Sequence, residues 1–192
     1  LFDAKGGGYR LNTPYKPGMN AIGRAFGFAY GHKENGAVFS HMAVMYAYGL
    51  YNYGLVDAGR EAWTALLDRA KAPESKVWTG IPEYFNDRGW GMYPYLTGSA
   101  SWLLKLLREA VFGIRMDLGK LTFEPQLAKD DFIGGKASIT TVILGRQTTV
   151  TYVNPHALDA GLYKVRSVLM DGKPVTLPIN WITGDIEVIL DA

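Results

Sequence analysis

The spacing of apolar residues changes character at Gly113, and that change limits what the chain can fold into. Before it, apolar side chains recur every three to four residues. After it, short Thr/Val/Ile-rich runs are divided by Gly-containing turns. The first pattern makes helices and the second makes strands. The chain therefore reads as α+β, with helices first and a small antiparallel β module after them. Its 192 residues suit one or two domains, and a hydrophobic content of 48% is enough for a real core.

Three helices are predicted before the change. Residues 34–54 read as a buried helix, and from Ala37 to Leu50 the chain is almost wholly apolar or aromatic. Phe39, Met42, Ala43, Tyr46, Ala47 and Leu50 make one stripe, and Val38, Met45 and Tyr48 cover much of the rest, so this helix is expected to pack on both sides. Gly54 is a suitable stop. A second, amphipathic helix spans 57–70, with Asp57 placed to cap it and Ala58, Ala62, Trp63, Leu66 and Leu67 on its buried face. The short connection makes the pair an antiparallel hairpin. The third helix follows Thr97-Gly98-Ser99 and buries Trp102, Leu103, Leu106, Leu107, Ala110 and Val111. Apolar faces on all three need partners.

Residues 1–33 read as irregular, broken by Gly6-Gly7-Gly8, Pro14, Pro17-Gly18 and Gly23. Residues 71–96 read as a long loop. It carries Trp78, Tyr84, Phe85 and Trp90, so it is expected to be a cleft wall or lid. In the second half, Leu121–Pro125 reads as a short strand. Gly145-Arg146 divides one hairpin, and Asp171-Gly172 turns another. Gly184-Asp185 precedes a last strand from Ile186.

Composition excludes several functions. Twenty basic and 18 acidic residues give a net charge of +2, and the basic ones are scattered, so neither nucleic acid nor a membrane surface is indicated as a partner. With no cysteine there are no disulfides, thiol nucleophiles or thiolate metal sites. The three histidines, His32, His41 and His156, have no ligand spacing, and no metal is expected. No apolar stretch is long enough to span a membrane. Aromatics at 13% are compatible with stacking on sugar rings and equally with an aromatic core.

Chemistry has three candidate places. Lys33-Glu34-Asn35-Gly36 leads into the helix bearing His41. Glu83 sits in the aromatic loop near Asp87 and Arg88. Thr97-Gly98 heads the third helix, where free N–H groups, a hydroxyl and a glycine suit an anion. An ordinary capped helix explains those last residues as well, and a core histidine explains His41. Glu34 and Glu83 read alone are isolated carboxylates, each a general-acid candidate.

Taken in order, Lys33-Glu34-Asn35-Gly36-Ala37-Val38-Phe39-Ser40-His41, then Tyr95-Leu96-Thr97-Gly98-Ser99-Ala100-Ser101-Trp102, then Phe112-Gly113-Ile114-Arg115 with Leu121-Thr122-Phe123-Glu124-Pro125, resemble the C-terminal part of glycoside hydrolase family 94. That family holds inverting phosphorylases of cellobiose, chitobiose, laminaribiose and β-1,2-oligoglucans. The resemblance implies that residues 1–115 are the last helices of an (α/α)6 catalytic barrel. Residues 116–192 would then be a β-sandwich-like C-terminal domain. It implies phosphate binding by His41, Thr97 and Gly98, and sugar contact by Glu34. Glu83, Trp78 and Tyr84 would approach the sugar from the aromatic loop. Gly80–Tyr84 and Gly91–Tyr93 look more like the β-1,2-oligoglucan branch.

The family's general acid is an aspartate in an upstream barrel segment, and the chain is expected to begin after it. No catalytic residue is therefore assigned here, and the chain alone is expected to be inactive. Inorganic phosphate would be a co-substrate, with no cofactor. An oligosaccharide and the upstream barrel portion are the implied partners, a homodimer is a possible assembly, and the cytoplasm is the expected location. Two other readings stand beside this one. One is a non-catalytic carbohydrate-binding or structural module. The other is a hydrolase using Glu34 and Glu83, which needs their carboxyls roughly 6.5–9.5 Å apart.

Overall fold

Small residues decide how the greasy Ala37–Leu50 run folds. The computed structural model describes residues 1–14, 21, 23, 27–95 and 98–192, and in it this run becomes a short strand and then a helix. The chain is mixed α+β and divides into two units, Leu1–Leu106 and Leu107–Ala192.

The first unit opens with β1 (Phe2–Asp3) and β2 (Gly8–Tyr9), an antiparallel pair. Then come β3 (Val38–Phe39), α1 (Ser40–Asn52), α2 (Val56–Lys71), β4 (Tyr84–Phe85), β5 (Gly91–Met92) and α3 (Gly98–Lys105). α1 ends where Gly54 was expected to stop it. Gly54 has φ +71°, its N–H donates to the Tyr51 carbonyl at 2.9 Å, and the Leu55 N–H donates to Leu50 at 2.9 Å. That double closure of the last turn satisfies carbonyls which the helix itself leaves open.

α1 buries a different stripe from the expected one. Ala43, Ala47 and Tyr51 face inward at four-residue spacing, with Ser40 and Val44 beside them. Met42 and Tyr46 remain 46% exposed. The physical reason is close approach. A methyl on Gly59 of α2 would lie 2.6 Å from the Tyr51 ring, so α2 sits directly on this side of α1. Ala62 and Leu66 of α2 are fully buried there. Each such leucine contributes roughly 1.5–3 kcal/mol. Asp57 does not cap α2: the cap position is Leu55, no side chain closes it, and Asp57 lies in the first turn.

The 71–96 segment is not a plain loop. A 3₁₀ turn at Pro73–Ser75 starts it, and β4 and β5 join β3 in a three-stranded antiparallel sheet. These strands are two residues each, too short to register as a period of two. α3 gives way to a π-helical segment, Leu106–Val111, which single-sequence periodicity does not distinguish from α-helix.

The second unit contains β6 (Ile114–Asp117), β7 (Lys120–Phe123), β8 (Lys136–Ile143), β9 (Arg146–Val153), β10 (Lys164–Met170), β11 (Lys173–Val175) and β12 (Ile186–Asp191). Three hairpins turn on residue pairs with positive φ: Leu118-Gly119, Leu144-Gly145 and Asp171-Gly172. That geometry matches the right-handed twist of the flanking strands. The expected hairpins at 145 and 171 are present, the first turning one residue earlier. The β6 strand was not anticipated.

The five-stranded sheet runs β11-β10-β12-β9-β8. The sheet is not the purely antiparallel module expected: β12 pairs in parallel with β9. The last strand inserts between β10 and β9 instead of extending an edge. Ile186, Val188 and Leu190 are buried at alternate positions, so one face of β12 is covered by the core. Tyr152 of β9 is wholly buried, its hydroxyl donates to the Phe112 carbonyl, and burial pushes its pKa up.

Candidate functional site

The Lys33–His41 run is held by a knot of polar side chains around Asn35. The Asn35 Nδ2 donates to the Phe28 carbonyl at 2.8 Å, and the Asn12 Nδ2 donates to Asn35 Oδ1 at 3.2 Å. The Gly36 N–H donates to Asn12 Oδ1 at 2.8 Å, and Arg10 Nη1 donates to the Gly36 carbonyl at 2.7 Å. Gly36 has φ +76°, and a side chain there would overlap the Tyr30 ring. The Asn-Gly pair is thus a structural requirement: one residue supplies the amide, the other the backbone freedom.

From this knot the chain passes into β3 and is tied to the aromatic segment. The Ser40 N–H donates to the Glu83 carbonyl at 3.0 Å, and the Glu83 N–H is shared between Met92 at 3.1 Å and Tyr93 at 3.2 Å. Lys33 Nζ donates to Glu83 Oε2 at 3.1 Å and lies 3.7 Å from the centre of the Tyr93 ring. Burial works to lower the Lys33 pKa, but the Glu83 hydrogen bond and charge outweigh it and hold Lys33 above its usual range.

His41 occupies the first turn of α1, half-buried. Its ring lies against Gly98, the first residue of α3: a methyl on Gly98 would be 2.7 Å from His41 Cε1 and 3.0 Å from Nδ1. Trp102, one turn along α3, brings its ring centre to 6.0 Å from the imidazole. The His41 Nε2 is buried with no hydrogen-bond partner, and so is the neighbouring Ser40 Oγ. Buried polar atoms are nearly always paired, so the unpartnered His41 Nε2 beside the head of α3 marks a place where a ligand or water fits. The first-turn N–H groups of α3 have no partners within their own helix. An imidazole and a helix N-terminus together can neutralise and orient a small anion.

Of the residues expected to hold phosphate, the fold brings His41 and Gly98 together; Thr97 lies outside the described residues. Glu34 is half-buried beside Lys33 in sequence. Glu83 is engaged with Lys33. Tyr84 is 2% exposed, packed parallel to Phe39 at 6.0 Å on one side and tilted against Tyr93 at 6.0 Å. Its ring supports the wall. Trp78 is 98% exposed, and its position in the sequence gave no sign of this. Sequence reasoning assigned no role to Ser40, Lys33 or Tyr93. Lys33 was visible as the one cation in the first motif; a buried serine hydroxyl without a partner leaves no trace in sequence. Among the described residues there is no cluster suited to a metal ion, and no helix is long and apolar enough to cross a membrane.

No protein-family model matches the chain. It is 26% identical over 180 residues to the N,N′-diacetylchitobiose phosphorylase of Vibrio furnissii, covering 88% of this chain and 22% of that protein. It is 28% identical over 142 residues to the cellobionic acid phosphorylase of Neurospora crassa, covering 61% of this chain and 18% of that one. The chain is a distant relative of disaccharide phosphorylases. It spans about a fifth of the length of the curated relatives it matches.

Proposed function

We propose that this chain carries the phosphate-binding part of an inverting glycoside phosphorylase of the family 94 type, acting on β-linked gluco-oligosaccharides, with the β-1,2 linkage favoured. The observation that supports it best is the contact between the His41 imidazole, whose Nε2 is buried and unpartnered, and Gly98 at the head of α3. A phosphate oxygen would accept from His41 and from the first N–H groups of α3, with Thr97 as the third ligand. Gly98 is needed because any side chain would push into the imidazole.

In the reaction proposed, a phosphate oxygen forms a bond to the anomeric carbon while the glycosidic C–O bond breaks. An aspartic acid from the upstream barrel segment gives its proton to the leaving oxygen, and the product is an inverted sugar 1-phosphate. Glu34 would lie near the scissile bond. Lys33 and Glu83, locked to each other and to Tyr93, would form a rigid polar wall for the sugar, with Trp78 an exposed ring beyond it. The helices of residues 1–115 would be the last of an (α/α)6 barrel.

Inorganic phosphate titrated into the full chain, followed by phosphorus NMR line width, tests the site. His41→Ala is expected to weaken binding roughly tenfold or more, the loss of one charge-assisted hydrogen bond. Equal affinity in the two proteins overturns the assignment.

A further inference from the structure

The second unit has a cleft of its own. It lies between the β10–β11 hairpin and the segment leading into β12, with a volume of about 490 Å³. Trp181 lines it and is 49% exposed, so part of its surface is open to a ligand. Pro178 adds apolar wall, and Asn180, Asp171, Lys173 and Thr183 are among the polar groups.

The Asp171 carboxylate is fixed from several directions. The Thr183 hydroxyl donates to its Oδ2 at 3.1 Å, and its backbone N–H donates to Asp185 at 3.0 Å. Its carboxylate also packs onto Gly184, where a methyl would overlap it. Asp171 itself turns with φ +49° in the hairpin. A Thr183 N–H directed at Met170 Sδ, 3.3 Å away, ties the far side of the cleft to β10. A half-open indole, an amide and an ordered carboxylate thus share one concave surface.

We propose that this cleft binds a neutral saccharide, with Trp181 as the stacking platform and Asp171 and Asn180 hydrogen-bonding to sugar hydroxyls. A β-linked glucopyranose presents a flat face of C–H groups that suits an aromatic ring, and hydroxyls at its edge that suit a carboxylate and an amide. Asp171 and Lys173 both line the cleft, so its formal charges balance and a neutral ligand suits it. This site does not depend on the phosphate-site reading, since all its residues lie in the second unit.

Cellotetraose titrated into the full chain, observed by saturation-transfer NMR, tests it. Saturable binding is expected, with transfer concentrated on the C–H face of one sugar. Trp181→Ala is expected to weaken it roughly tenfold or more, Asp171→Asn by a smaller factor, and Trp181→Tyr to retain most of it. Phosphate binding should be unchanged in Trp181→Ala. No saturable binding, or equal affinity in wild type and Trp181→Ala, overturns the proposal. Loss in His41→Ala with none in Trp181→Ala assigns the sugar to the first unit and equally overturns it.

Discussion

The two units are specified by different means. In the second, the hairpins come from neighbours: three two-residue turns with positive φ and strands whose buried residues alternate. In the first, order comes from side chains far apart in sequence. Arg10 reaches Gly36, Lys33 reaches Glu83, and Arg69 Nε donates to the Gly89 carbonyl at 2.6 Å. The first unit also leaves Met42, Met45 and Tyr46 on an open helix face, while β12 buries every second residue. The hairpins of the second unit are dictated locally while the first unit relies on individual long-range side-chain contacts, and the two should fail differently when mutated.

The sharpest test of that contrast is backbone freedom in the second unit. Gly113 has φ +61°, and a methyl there would overlap the Glu124 carbonyl, whose own residue donates its N–H to Gly113 at 2.8 Å. Backbone cannot move aside as a side chain can. Gly113→Ala is expected to prevent the second unit from folding, read as loss of its dispersed β-sheet amide signals in NMR while those of α1 and α2 persist. Retention of both sets would break the comparison.

Side-chain truncation in the first unit ranks next. Leu66→Ala in α2 is expected to cost about 2–5 kcal/mol in chemical denaturation, because the fully buried leucine leaves a cavity. A loss confined to helical signals would sharpen the contrast, and a common transition for both units would blur it.

The Lys33–Glu83 pair gives a smaller, pH-dependent effect. Lys33 is raised above its ordinary 10.5, so its stabilisation is complete below that pH and is lost as pH climbs through the higher folded value. The melting temperatures of wild type and Glu83→Gln should differ by a constant amount up to about pH 9 and converge above 10.5. A constant gap throughout would show that the pair is not the link. The smallest effect is on the open face of α1: Met42→Ser should change stability by no more than about 0.5 kcal/mol.

The legible parts of this protein were those fixed by short-range chemistry. Gly54 could be read as the end of α1 because glycine accepts the left-handed turn. Asp171-Gly172 could be read as a hairpin because that pair favours two successive positive φ values. The candidate site was legible only as two separate motifs. Nothing local says that the ring of His41 meets the α-carbon of Gly98, 57 residues later, or that Ser40 buries a hydroxyl with no partner.

By itself, then, the sequence determined that helices come first, where most hairpins turn, and that the chain is α+β, because periodicity and turn preference act within a few residues. Only the tertiary structure decided the rest. The insertion of β12 in parallel beside β9, the turning of α1 toward Gly59, the burial of Tyr84 and the exposure of Trp78 all depend on which surfaces meet after the chain closes. Such meetings are set by packing between distant residues, where one glycine can decide how closely two helices approach.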